Sequence, residues 1–154
     1  MPFSRRFVLS RLFPGLAGGA AAVVLPGSPA RAATPVDAVQ KVVYHLSEPG
    51  RVSFVMGNIR NHVAGKGGPD KVGIVLVIHG PALAAFAVSR ASPDMKLQIE
   101  GRAGDGVSFV ACGHTMAAQK LELSDMPAGF EIADEGGVVR IADLQAEGYL
   151  YIRP

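Results

Sequence analysis

Only one cysteine, Cys112, occurs in the 154-residue chain. It has no partner for an intramolecular disulfide, and no C-x-x-C pair signals a redox or zinc motif. Other absences narrow the function further. The chain has no G-x-S-x-G elbow, no phosphate-binding loop and no G-x-G-x-x-G fingerprint. Nothing therefore points to a serine hydrolase, a nucleotide hydrolase or a dinucleotide enzyme. There is no internal repeat, and no low-complexity tract beyond the amino-terminal segment.

That segment, residues 1–32, is basic, with Arg5, Arg6, Arg11 and Arg31 and no acid. Ser4-Arg5-Arg6-Phe7-Val8-Leu9 has the twin-arginine pattern. An apolar, Gly/Ala-rich run follows from Leu12 to Leu25, and Ala30-Arg31-Ala32 is a small-x-small cleavage site. This order of charged, apolar and cleavable regions reads as an export signal. The alternative is a membrane anchor, but the run is short and interrupted by Gly and Pro for a bilayer core of about 30 Å. Cleavage would leave residues 33–154 as a single domain in the cell envelope, most simply the periplasm. It would also take the formal charge from +2 to −2, because four arginines leave with no acid. The remaining chain forms no basic stripe, so nucleic acid is not an implied partner. Nor is a membrane, once the signal is gone.

In an oxidising compartment a lone cysteine is buried and inert, paired between chains, or reactive. Its setting decides among these. Lys41-Val42-Val43-Tyr44-His45-Leu46 is β-branched and apolar, the mark of a central strand. From Arg51 to Gly65 the apolar residues Val52, Val55, Met56, Ile59 and Val63 recur on one helical face. Lys71 to His79 is apolar on both faces, as in a covered parallel strand. Ala82 to Arg90 is apolar almost all round, which predicts a helix in the core or at an oligomer interface, the latter preferred. Ser92 to Gly104 reads as a helix, with a strand as its rival because Met95, Leu97 and Ile99 alternate. Val107 to Cys112 is a third strand and Thr115 to Leu121 a short helix. Phe130 to Ala133, Val138 to Glu147 and Tyr149 to Ile152 complete the pattern as strand, helix and strand. Strands alternating with helices predict a three-layer α/β/α sandwich around a mainly parallel sheet of five strands.

This fold gathers chemistry at one edge. His45 and His79 lie at the carboxyl ends of the first two strands, Cys112 at that of the third, and His114 just beyond. Ligands of open α/β sheets bind outside these ends. A thiolate is favoured at a helix amino end or near a histidine, and Gly113 permits close backbone approach. Thr115 is a candidate cap for the following helix. Asn58, with Asn61, is either a polar helix face or part of the pocket lining. His62, mid-helix, reads as solvated, as do Glu48 and Asp134. Cys112 with His79 therefore forms the candidate reactive pair, and His45, Gly113, His114, Thr115 and Asn58 are candidates to bind a substrate or anion. Two plainer readings stand beside this one. Cys112 is a small buried hydrophobe, or His45, His79, Cys112 and His114 hold zinc or copper. No local ligand spacing supports the metal, and no cofactor is expected.

The segments around His45, Asn58-Ile59-Arg60-Asn61, Ile78-His79-Gly80-Pro81-Ala82-Leu83, Phe109-Val110-Ala111-Cys112-Gly113-His114-Thr115-Met116 and Leu144-Gln145-Ala146-Glu147-Gly148-Tyr149-Leu150-Tyr151-Ile152-Arg153-Pro154 together resemble the DsrE/DsrF-like family. The resemblance covers nearly all of residues 33–154. It implies an α/β/α sandwich and a homo-trimer or homo-hexamer. It also implies a cysteine, here Cys112, that carries sulfane sulfur as a persulfide between a donor and an acceptor. The chain departs from the pattern at His114, where Asn is common, and in its export signal, which separates it from cytoplasmic relay partners.

Overall fold

The β-branched runs become parallel strands, each followed by a segment that returns over the sheet. The computed structural model describes residues 39–154; the export signal expected over 1–32 lies outside them. The strands are β1 (Gln40–Leu46), β2 (Val72–Ile78), β3 (Ser108–Cys112), β4 (Phe130–Ala133) and β5 (Leu150–Ile152), and the helices are α1 (Val52–Lys66), α2 (Pro93–Gly104), α3 (Gly113–Gln119) and α4 (Gly137–Ala146). The five strands lie in the order β4-β3-β2-β1-β5 and every pair is parallel.

This order explains the two unequal cores. From β1 to β4 the chain steps between neighbouring strands, and α1, α2 and α3 bury one face of the sheet with Tyr44, Leu46, Leu76, Ile78, Phe109 and Ala111. From β4 the chain crosses the whole sheet to β5. Helix α4 packs Ile141 and Leu144 on the other face, over Val43, Val75, Val77 and Val110. The molecule is thus an α/β/α sandwich with one full helical layer and one thin one. Because α3 and α4 leave β3 and β4 toward opposite faces, a crevice opens at the carboxyl ends of these two strands. Such a topological switch point is the usual binding position in this architecture.

Two local outcomes need a physical account. Residues 92–104 form the helix rather than its rival strand. Ser92 Oγ accepts the Met95 N–H at 3.1 Å, Pro93 occupies the first turn, and the buried residues are Met95 and Ile99, four apart. That spacing suits a helix, and Leu97, which the alternating pattern would bury, is 67 % exposed.

The helix expected over Ala82–Arg90 does not form. A 3₁₀ segment covers Gly80–Ala85, and turns carry the chain to Arg90. Other parts of the chain capture its backbone: the Ala82 N–H donates to Ser47 O at 3.2 Å and the Val88 N–H to Asp125 O at 2.8 Å. Its apolar residues are used at home. Ala82, Leu83, Phe86 and Ala87 are buried in this chain's own core, where Phe86 meets the stacked rings of Phe109 and Phe130. The apolarity of Ala82, Leu83, Phe86 and Ala87 therefore reflects a buried connection within one chain, whereas Val88 is 44 % exposed.

Candidate functional site

Cys112 is the last residue of β3 and the N-cap of α3, so the helix begins two residues earlier than the sequence suggested. The side chain is 6 % exposed. The backbone N–H groups of His114 and Thr115 from α3 and of Gly137 from α4, together with the Thr115 hydroxyl, lie near its sulfur and favour its charged form. Thr115 does not cap its helix. Its Oγ1 accepts the Gly80 N–H at 3.0 Å, which leaves its own proton for the sulfur. Burial pushes the thiol up. The Thr115 hydroxyl and the Gly137, Thr115 and His114 amides outweigh that effect and hold it below the ordinary cysteine value. Donors that bond the charged form favour it.

Three glycines let these elements close around the sulfur. A Cβ on Gly113 would lie 3.0 Å from Ala133 O and 3.1 Å from Asp134 Cα, so a side chain there would push α3 off the loop after β4. A Cβ on Gly137 would lie 3.2 Å from Val77 Cγ1, 3.3 Å from Cys112 Cβ and 3.5 Å from His79 Cβ. Gly136 adopts φ +103°, a backbone region that side chains disfavour, and lies against the His114 ring. In front of Cys112 is a cleft of about 310 Å³ lined by His79, His114, Glu135, Gly136, Gly137, Val138 and Val139.

The histidines arrive by strand alternation. Val43 and His45 face α4 from β1. Val77 and His79 do so from β2 and its end, Val110 and Cys112 from β3. Tyr151 in β5 is registered with Val43 and shares that face. Four polar side chains therefore run diagonally across the α4 face: Tyr151, His45, His79, then Cys112. His45 Nδ1 is 2.7 Å from the Tyr151 hydroxyl, and His45 Nε2 is hydrogen-bonded to His79 Nε2. Burial, the neighbouring His79 and the Arg153 guanidinium lower the His45 pKa to about 4. Burial and Arg153 lower that of His79. Both rings are thus held neutral near pH 7.

The structure brings Cys112, His79, Gly113, His114 and Thr115 together, with His45 behind His79. Asn58 is not among them. It sits on α1, which covers the opposite face of the sheet, and does not line the cleft. His62 is not simply solvated. It is half-buried, 2.9 Å from the Tyr44 hydroxyl and 3.1 Å from Gln40 Oε1. Glu48 is exposed and pairs with Arg51 and Arg153. Sequence reasoning missed Tyr151, Gly136, Gly137 and the anchoring role of Gly80. The period of β5 alone does not reveal Tyr151, because the β1–β5 register is what puts it on the face of Val43 and His45. Among the described residues no group of three or more His, Cys, Asp or Glu side chains is placed to hold a metal ion, so the His45/His79/Cys112/His114 ligand set is not assembled there.

Comparison with solved structures finds a likeness to MTH1491, a protein of unknown function from Methanobacterium thermoautotrophicum. The two are 29 % identical, with a TM-score of 0.65 over 75 % of this chain and 99 % of that one. No family model matches the chain, and no curated protein matches it.

Proposed function

We propose that the protein handles sulfur at Cys112, as a carrier of sulfane sulfur or a sulfurtransferase-like relay. One observation carries this reading: the single cysteine lines the switch-point cleft with His79 and His114, where a hydroxyl and three backbone N–H groups favour its charged form. That arrangement favours a thiolate and would hold the anionic outer sulfur of a persulfide equally well. The step is a displacement at sulfur. The Cys112 thiol proton passes to His79, and the thiolate electron pair forms a bond to the outer sulfur of a donor persulfide, R–S–S–H. The donor's S–S bond breaks, its electron pair leaves as R–S⁻, and Cys112 becomes Cys–S–S–H. No net oxidation occurs. Passing the sulfur to an acceptor thiolate reverses these roles. The DsrE/DsrF-like resemblance supports the same chemistry, with a donor and an acceptor that are proteins or small molecules and a homo-trimer or homo-hexamer as the working form. The export pattern of residues 1–32 supports a periplasmic setting.

The test is mass spectrometry of the chain lacking residues 1–32, treated with a sulfane donor such as a glutathione persulfide. A gain of about 32 Da, reversed by a reducing thiol and lost in Cys112→Ser, is expected. An unmodified protein under several donors overturns the proposal. A second reading, a binding module for a small anion, is favoured by the same amides. It expects saturable binding of sulfite or thiosulfate with no covalent mass gain. Elemental analysis of protein purified without a His tag tests the metal version.

A further inference from the structure

The displacement must dispose of a proton from a sulfur that is almost fully enclosed. His79 Nε2 is already bonded to His45 Nε2, and His45 Nδ1 to the Tyr151 hydroxyl. His79 Nδ1 has no hydrogen-bond partner among the described residues, and His79 lines the Cys112 cleft. Tyr151, 41 % exposed, is the far end of this chain of hydrogen bonds, toward the surface. His45 joins one group on either side through different nitrogens, which is the condition for passing a proton without becoming charged, and His79 bonds His45 through Nε2 alone.

We propose that Tyr151, His45 and His79 form a proton path from the Cys112 cleft to the protein surface, with Tyr151 as a positioning residue that fixes the histidine tautomers. This rests on the thiol chemistry proposed above. The accounting is closed. As the Cys112 proton reaches His79 Nδ1, the His79 Nε2 proton moves to His45 Nε2. The His45 Nδ1 proton then moves to the Tyr151 oxygen, and the tyrosine proton leaves to water. No group keeps a net charge, which suits two rings that share a small, half-buried space. The reverse polarity starts with Tyr151 donating to His45 Nδ1 and ends with His79 Nδ1 as a donor, ready to protonate a leaving thiolate. Passage of one proton along the path therefore turns His79 from base to acid.

The charged and titratable groups around the path are few. Arg153, held by Glu48 Oε1 at 3.0 Å and Ser47 Oγ at 3.3 Å, disfavours positive charge on both rings. Glu135 and His114 face the cleft mouth, and Cys112 itself closes the inner end.

The experiment compares wild type, Tyr151→Phe and His45→Gln by ¹⁵N-histidine NMR and by the pH profile of Cys112 alkylation. The two Nε2 atoms transmit the effect of Tyr151 to His79, which Tyr151 does not bond. Tyr151→Phe is therefore expected to change the His79 tautomer ratio about fivefold, the equivalent of one hydrogen bond. It should also shift the acid limb of the alkylation profile while leaving the rate at high pH, where the thiolate is fully formed, unchanged. His45→Gln, which keeps a donor and an acceptor but cannot exchange them, should have the same effect. His79 shifts identical in wild type and Tyr151→Phe overturn the path. So does an alkylation profile that moves at every pH, since that reports a distorted site. If Cys112 accepts no sulfur, the NMR result still stands or falls by itself, so the two proposals fail separately.

Discussion

His45 and His79, 34 residues apart, are hydrogen-bonded Nε2 to Nε2 at the ends of neighbouring strands. Such a bond needs a proton on one nitrogen and a lone pair on the other. Two imidazolium rings cannot make it, and Arg153 opposes even one. The pair is therefore a structural statement about charge: this corner of the α4 face is built for neutral histidines.

Stability should accordingly fall in mild acid. The folded His45 has a pKa near 4, against about 6.5 for a free histidine. As pH drops below the unfolded value the unfolded chain takes up the proton first, so folding loses ground down to about pH 4 and no further from this group. The ring is partly exposed, so we expect a loss of about 1–2 kcal/mol between pH 7.5 and 4.5 after allowing for solvent screening. Urea midpoints across that range read it. The difference between wild type and His45→Gln isolates it from the carboxylates. Parallel curves for the two proteins would show that His45 does not contribute.

The sulfur's environment makes a second claim. Thr115 joins the Gly80 N–H to the Cys112 sulfur through one hydroxyl. Thr115→Val keeps the shape, removes the donor to the sulfur and strands the Gly80 N–H. A charge-assisted hydrogen bond is worth roughly 1.4 kcal/mol or more. Alkylation of Cys112 by iodoacetamide should therefore be about tenfold slower at pH 7, with its pH midpoint raised. An unchanged rate in a folded Thr115→Val protein would mean the amides alone set the thiol.

Glycine replacements separate close packing from backbone preference. Gly137→Ala would place a methyl 3.2 Å from Val77 Cγ1 and 3.3 Å from Cys112 Cβ. It should cost about 1–3 kcal/mol and slow alkylation by moving the Gly137 N–H away from the sulfur. Gly57→Ala is the control. Gly57 lies within α1, and an added Cβ there meets nothing within 4 Å. It should raise stability by about 0.5–1 kcal/mol and leave Cys112 unaltered. Thermal melts and labelling rates on both variants are sufficient. Equal destabilisation by the two would refute the packing argument.

The strand cores were legible because β-branched runs such as Val72–Ile78 admit few other readings, and α1 was legible from the spacing of Val52, Val55, Met56, Ile59 and Val63. The gathering of His45, His79 and Cys112 followed from the fold class. What failed depended on contacts between distant segments. Nothing local in Ala82–Arg90 says that Ser47 and Asp125 will take its backbone N–H groups. Asn58 reads from sequence as a polar helix face or as pocket lining. The chain crosses to the other face of the sheet between His45 and α1, and only the strand order decides which face a helix covers. Gly136 and Gly137 carry no signal of their own, because their importance lies in what Cys112 and His114 put beside them. The diagonal through Tyr151 needed the β1–β5 register, which no local pattern supplies.

The remaining histidine gives a case where chemistry fixes the tautomer. His62 Nε2 faces Gln40 Oε1 at 3.1 Å. A carbonyl oxygen can only accept, so Nε2 carries the proton and Nδ1 offers its lone pair to the Tyr44 hydroxyl, 2.9 Å away. Burial, and then Lys66, keep this ring below the ordinary histidine value. Tyr44→Phe removes the donor while keeping the buried ring, so near neutral pH it should cost about 1–2 kcal/mol for an unpaired nitrogen. Protonated His62 would turn the bond round, with Nδ1 donating and the tyrosine oxygen accepting, a charge-assisted bond that phenylalanine cannot make. The cost of Tyr44→Phe should therefore persist or grow as pH falls from 7.5 toward 5. Urea denaturation of wild type and variant at both values measures it. No penalty at either value would mean that the bond between Tyr44 and His62 contributes nothing.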